Sequence, residues 1–160
     1  MNDGINISEF AKRIENLNKL YPRLPNLAAT IAVRFIKDRF RDQNWVSERT
    51  EPWPKRKETL HQAKKNRGRA VLVKTGRLKR SIRKIRTTAT LAIVGTDVPY
   101  AIYHNQGSGK QGTGTFNVAT RRENTMRSGT LPRRQFIGES TALARLIERQ
   151  FTAELIRAIR

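Results

Sequence analysis

The sequence predicts an α+β fold, in which a small antiparallel β-sheet packs with N-terminal helices and a long C-terminal helix. Three observations predict it: apolar residues at helical spacing near both ends of the chain, two short alternating segments within 83–98, and a long polar stretch between them and the last helix. The chain has 160 residues, 37% of them hydrophobic, which suffices for one modest core. We therefore expect a single domain spanning 1–160.

The N-terminal part, residues 1–42, is predicted to be helical. Apolar residues recur at helical spacing after Ser8, a plausible N-cap, and they predict a helix over 8–20. Two prolines then interrupt the pattern, because each lacks a backbone donor. A second helix is expected over 26–42, with Asn26 as its cap and a broad apolar face.

The middle of the chain is less regular. A short helix is possible around 58–65, in a segment otherwise punctuated by Trp and Pro. Alternation within 83–98, with a break at 88–90, predicts two short strands around a turn. Residues 98–104 are aromatic and β-branched, which is typical of either a strand or a short helix.

The C-terminal third predicts a loop, an extended segment and a helix. Residues 105–130 contain few apolar side chains, and a loop of this length is either functional or ordered only on binding. Residues 131–138 are predicted to form a short strand or an extended segment. From Leu143 to Ile159 the apolar spacing predicts a long amphipathic helix.

Positive charge is concentrated in the middle third. The chain has 33 Lys+Arg against 13 Asp+Glu, a net charge of +20, and residues 49–86 hold 15 of the cations against 2 carboxylates, or +13. Such a surface indicates a polyanion or an acidic protein partner; the alternative is a solvated face. The candidate contacts are Lys55, Arg56, Lys57, Lys64, Lys65, Arg67, Arg69, Lys74, Arg77, Lys79, Arg80, Arg83, Lys84 and Arg86, joined by Lys110, Arg121, Arg122 and Arg127 of the loop.

The sequence gives little support for a catalytic or metal-binding site. There is no cysteine, and the carboxylates are scattered, so no metal or other cofactor is expected. The glycine-rich 107–114 fails the phosphate-loop pattern, because Thr113 stands at the lysine position. His104 is predicted to form a hydrogen bond that holds the turn beginning at Asn105, rather than to act as an acid or base. Trp45 and Trp53 are expected to anchor the core or a subunit contact.

Three blocks in order carry a family resemblance. The first, Thr75–Ile82, reads TGRLKRSI; the second runs from Val94 to Gly107; the third, Leu131–Gly138, reads LPRRQFIG. This series resembles the virion morphogenesis (tail completion) family of tailed bacteriophages over about residues 35–155. Asn105 departs from the family pattern. The positions that carry the pattern are Gly76, Leu78, Gly95, Tyr100, His104, Gly107, Pro132, Arg134, Phe136 and Gly138.

The resemblance implies a structural virion protein and not an enzyme. Such a protein would complete or cap the tail at the neck and join it to the head, as a ring around the DNA channel, with six copies the usual expectation. Its partners would be further copies of itself, the connector or neck proteins, the tail tube or tail terminator, and DNA bound without sequence preference. Gly76 and Gly95 would supply backbone freedom at turns, and Tyr100, Tyr103 and Phe136 would pack the sheet against the helices.

Two other functions remain open from the sequence. One is a free, non-specific nucleic-acid-binding protein that uses the basic middle segment; the other is an enzyme with an unrecognised site that depends on His104. No apolar run is long enough to span a membrane, and no secretory signal is visible. The expected location is the virion, after assembly in the host cytoplasm.

Overall fold

A computed structural model describes residues 6–56, 61, 64, 66–107 and 131–160. Helix α1 spans Ile7–Leu20 and agrees with the predicted 8–20. Its N-cap is Asn6 rather than Ser8, because the Asn6 side chain accepts the backbone N–H of Ser8, which already belongs to the helix.

Helix α2 spans Leu24–Asp42 and follows a single 3-10 turn over Tyr21–Arg23. It begins before Asn26, the predicted cap, since Pro25 fits the first turn, where no intrahelical donor is needed. The Asn26 side chain instead accepts a hydrogen bond from Lys84 Nζ at 2.6 Å.

A short hairpin that the sequence did not predict follows α2. Strands β1 (Asn44–Val46) and β2 (Thr50–Pro52) pair antiparallel, with Trp45 opposite Glu51. Gln43 makes the turn out of α2 with φ 56°. Its side-chain Nε2 donates to the backbone carbonyls of Phe40 and Val71, and its Oε1 accepts the backbone N–H of Val71.

The predicted strand pair is confirmed. After the short helix α3 (Arg77–Ser81), strands β3 (Arg83–Thr87) and β4 (Ala92–Gly95) pair antiparallel, with an irregularity between Lys84 and Arg86. The β-structure of the described residues is thus two separate two-stranded sheets. The hairpin β3–β4 contacts α2 on one side.

Two helices complete the described chain. Helix α4 covers Ala101–Gln106, which decides between the two predictions for 98–104 in favour of a helix. The loop predicted from Asn105 therefore starts later than expected, and its residues 108–130 lie outside the described residues, as does most of the possible helix at 58–65. Helix α5, Thr141–Ile159, confirms the predicted C-terminal helix, and Ser140 caps it by accepting the Leu143 N–H.

The core lies where α2 packs against α3, the start of α4 and the segments around Trp53 and Phe136. Phe40 of α2 contacts Trp53 edge-on, with ring centroids 5.4 Å apart, and contacts Phe136 at 5.1 Å. Phe136 shares this buried cluster with Ile36 and Phe40 of α2, and Val94 of β4 packs against the same cluster. Trp45 and Trp53 are both buried, as predicted for core anchors. The α+β class is confirmed.

Within the described ranges, no helix combines the length and the apolar character that a membrane span requires.

Candidate functional site

The three sequence blocks meet around Phe136. Leu78 and Ile82 from the first block and Val98 and Ala101 from the second are buried in the same cluster as Phe136 from the third. Residues 131–138 are joined to α4 and to the segment after β2 by hydrogen bonds. We call this junction the clasp.

Asn105 is the central polar residue of the clasp. Its Oδ1 accepts the backbone N–H groups of Phe136 and Ile137, each at 2.9 Å, and its Nδ2 donates to the Ile137 carbonyl, also at 2.9 Å. One side chain thus satisfies three backbone groups of an extended segment, which pairs there with no strand of the described ranges. In the sequence, Asn105 stands out only as a departure from the family pattern. The signal for its role is an amide, which both donates and accepts, at the end of a short helix.

Arg134 ties the third block to the segment after β2. Its backbone N–H donates to the His104 carbonyl at 2.8 Å, and its guanidinium donates to the carbonyls of Pro54 at 2.9 Å and Lys55 at 3.3 Å. The residue is only 6% exposed. Burial, and then the neighbouring Arg56, lower the pKa of Arg134. The side chain therefore works as a brace inside the molecule.

His104 does not play the part that the sequence predicted. Its Nδ1 is buried and has no hydrogen-bond partner among the described residues, and the turn is held by the His104 carbonyl and the Asn105 side chain instead. The imidazole packs edge-on against Tyr100, with centroids 5.8 Å apart. Burial, and then the charge of Arg134, lower the pKa of His104, so the neutral ring is favoured.

Two glycines of the pattern are explained by backbone geometry. Gly76 precedes α3 with φ 71°, as predicted for a turn, and Gly107 ends α4 with φ 81°. A Cβ at Gly107 would also lie 3.0 Å from the backbone nitrogen of Arg133. The expected turn role is wrong for Gly95, which has no left-handed φ; a Cβ there would instead meet Ile85 Cδ1 at 2.8 Å. Pro132 is half-buried and Gly138 is exposed.

A basic cleft of about 320 Å³ lies beside the clasp. Its cations are Arg56, Lys74, Arg77 and Arg134; Val71, Leu72, Leu78 and Tyr100 form much of its apolar wall. Arg56 also donates to the Ala70 carbonyl at 2.7 Å. Among the described lining residues there is no carboxylate, so the cleft favours an anionic group.

A second concentration of charge, which we call the basic ridge, consists of the cations of α3 and β3. It comprises Arg77, Lys79, Arg80, Arg83, Lys84 and Arg86, all exposed except Lys79, which is half-buried. Every residue of β3 is exposed. Asp97 lies 3.7 Å from Arg83 at the surface, and an ion pair that is exposed to solvent at this distance adds little stability. The ridge therefore presents its charge outward.

The other predicted basic contacts are dispersed. Lys55, Lys64, Arg67, Arg69 and Lys74 are exposed, whereas Arg56 is half-buried. Lys57 and Lys65, together with the loop residues Lys110, Arg121, Arg122 and Arg127, lie outside the described residues.

No metal-binding constellation is present in the described part of the chain. No three His, Asp or Glu side chains come together there in a way that would hold an ion.

Comparison of the sequence with known protein families gives one match. A sequence model described as the phage virion morphogenesis family matches residues 5–155. The chain belongs to the phage virion morphogenesis family. No curated protein and no solved structure matches it.

Membership in the virion morphogenesis family indicates a structural or assembly role in a phage particle, and a location in the virion. The match covers all three blocks of the clasp as well as α1, α2 and most of α5. The blocks that carry the family resemblance thus supply much of the buried core, and the first of them also carries the exposed Arg77 and Arg80 of the basic ridge.

Proposed function

We propose that this family member is a neck subunit, which completes or caps the tail and joins it to the head as a ring around the DNA channel. The family match over 5–155 is the observation that carries the proposal. The clasp supports it, because an assembly subunit needs a rigid body whose surfaces keep fixed relative positions. In this role the chain performs no catalytic step.

The basic ridge gives the proposed ring its charged face. Exposed cations on α3 and β3 would meet either the phosphates of DNA in the channel or acidic side chains of neighbouring neck proteins. Contacts with phosphate alone carry no sequence information, which suits a channel through which the whole genome passes. The proposed partners are therefore other copies of the chain, the connector and tail proteins, and DNA.

Genetic removal tests the role. A phage that lacks this gene is expected to yield filled heads and separate tails, and a plasmid that encodes the wild-type chain should restore joined virions. Electron micrographs of both lysates measure the fraction of joined particles. Normal virions without the protein would overturn the proposal, and rings in negative-stain images of the purified chain would support it.

A free nucleic-acid-binding protein is the second candidate, and the exposed ridge is the observation that favours it. Under this alternative the purified chain binds duplex DNA tightly, with an affinity that falls steeply as salt rises. Arg80→Glu with Arg83→Glu should then abolish binding. The matched control, Arg23→Glu with Arg160→Glu, makes the same charge change at exposed positions outside the ridge. Weak binding that responds equally to both pairs would exclude this candidate.

A further inference from the structure

The basic cleft beside the clasp carries positive charge that none of its described lining residues balances. The cations that line it are Arg56, Lys74, Arg77 and Arg134. The described lining contains no Asp or Glu. Lys74 and Arg77 are exposed, whereas Arg134 is only 6% exposed. The cleft therefore has cations both at its mouth and at its floor, an arrangement that attracts an anionic group.

Arg134 has a hydrogen-bond donor left over for a ligand. Its Nε and Nη2 donate to the carbonyls of Pro54 and Lys55. Its Nη1 has no acceptor among the described residues, and it is not one of the buried atoms that lack a partner there. Burial, and then the charge of Arg56, lower the pKa of Arg134, so a negative charge in the cleft would stabilise the guanidinium.

His104 supplies a second donor. The ring lines the cleft, and its Nδ1 is buried without a partner in the described ranges. Buried N–H groups without an acceptor are rarer than buried acceptors without a donor, so the neutral ring is expected to carry its proton on Nε2. The neutral imidazole can therefore donate to an anion without first taking up a proton.

The size and the walls of the cleft favour a carboxylate side chain over the phosphates of duplex DNA. A volume of about 320 Å³ corresponds to about ten water molecules, which suits one side chain. The apolar wall is formed by Val71, Leu72, Leu78 and Tyr100. The methylene stem of an acidic side chain would be buried against this wall, while its two oxygens accept from guanidinium groups. A phosphate of duplex DNA is flanked by sugars and has no such stem.

The charge of the chain indicates where this carboxylate comes from. With 33 Lys+Arg against 13 Asp+Glu, copies of the chain repel each other over long range, whereas an acidic protein is attracted. The occupant that the charge favours is therefore a side chain of a different, acidic protein.

We propose that the basic cleft binds a glutamate or aspartate side chain of an acidic partner protein, with Arg134 and His104 at its floor and Lys74 and Arg77 at its mouth. The inference deepens the proposed function, on which the identity of the partner as a neighbouring neck protein rests. It gives the cleft a contact separate from the outward face of β3.

Proton NMR of the His104 ring tests the cleft. The chain has two histidines, so His61→Gln leaves His104 as the only imidazole. The probe is N-acetylglutamate methylamide, and the neutral N-acetylglutamine methylamide is the matched control ligand. The probe should shift the ring resonances with saturation at millimolar concentration and raise the pKa of His104, because a bound negative charge favours the imidazolium. No saturable shift, or equal shifts from both compounds, would overturn the proposal.

Substitutions locate the binding. Lys74→Gln with Arg77→Gln should weaken binding of the probe about tenfold, since two charged contacts are lost. The control, Lys12→Gln with Arg13→Gln, makes the same charge change at exposed positions of α1 and should leave binding unchanged. Equal weakening by both pairs would contradict a built site. A short DNA duplex that displaces the probe at micromolar concentration would assign the cleft to phosphate and overturn the carboxylate assignment.

A carbodiimide identifies the source of the carboxylate, because it joins a lysine amine to a carboxylate in contact with it. In purified virions, mass spectrometry should find Lys74 joined to a Glu or Asp of a different protein. Lys74→Arg, which keeps the charge, should remove that product, and the exposed Lys12 measures random coupling. Coupling of Lys74 to another copy of the chain, or no more often than Lys12, would overturn the proposal.

The two levels of inference can fail separately. If the probe does not bind but deletion of the gene still leaves heads and tails unjoined, the neck role stands and the cleft inference is wrong. If the probe binds and Lys74 couples to another protein but virions join normally without this chain, the cleft binds as proposed and the neck role is wrong.

Discussion

Replacing Asn105 with alanine removes three hydrogen bonds at the clasp. The backbone N–H groups of Phe136 and Ile137 and the carbonyl of Ile137 all lose their partner. At about 1 kcal/mol for each bond, Asn105→Ala should lower the free energy of unfolding by about 3 kcal/mol. With an m-value of about 2 kcal/mol/M, the urea midpoint should fall by about 1.5 M.

Tryptophan fluorescence during urea unfolding measures this shift. Trp53 is a suitable reporter, because its Nε1 donates to the Gln135 carbonyl at 2.7 Å, beside the clasp. The matched control is Gln106→Ala, which truncates the adjacent, exposed side chain of the same helix. If the midpoints of the two variants lie within about 0.3 M of each other, the reasoning about the clasp is refuted.

Three further predictions concern the same region. The pKa of His104 is lowered in the folded state, so the unfolded chain binds more protons between that pKa and the ordinary value of 6.5. The free energy of unfolding should therefore fall as the pH drops below 6.5. His104→Gln should remove this loss, which urea titrations at several pH values would measure. Phe136→Ala should lower the free energy of unfolding by about 3–5 kcal/mol, measured in the same way, since the ring is only 1% exposed. Gly107→Ala should lower the thermal midpoint, because it combines a φ of 81° with a Cβ only 3.0 Å from Arg133 N, whereas Gly68→Ala, also at positive φ but with open space, should lower it less.

The long helices were predictable from the sequence because their signal is repeated over many residues. Helices α1, α2 and α5 each repeat the 3.6-residue pattern over 14 to 19 residues, and the ends differ from prediction by only a few positions. The hairpin β1–β2 was missed because its strands have three residues each, too few for alternation to show, and one of them ends in proline.

The clasp could not be predicted, because it depends on contacts between distant parts of the chain. Asn105 bonds residues 31 and 32 positions away, and Arg134 bonds residues about 80 positions away. Charge counting treats every arginine alike, so it cannot separate the buried Arg39 and Arg134 from the exposed arginines of the ridge. The sequence shows that cations are concentrated in the middle of the chain, but which of them face outward depends on the fold.

The separation between the clasp and the outer surfaces determines how assembly defects should be interpreted. A change at Asn105 or Phe136 weakens the interior that holds the three blocks together, so assembly should fall together with the stability of the subunit. A change at Arg80 removes an exposed side chain with no described partner in its own chain, so the subunit should stay folded while a contact is lost. Stability and assembly measured on the same variants should therefore fall together for Asn105 and Phe136, whereas for Arg80 assembly alone should fall. Such a result would show that one family block supplies both buried residues that preserve the shape of the subunit and exposed cations that contact its partners, since Leu78 and Arg80 both lie in Thr75–Ile82.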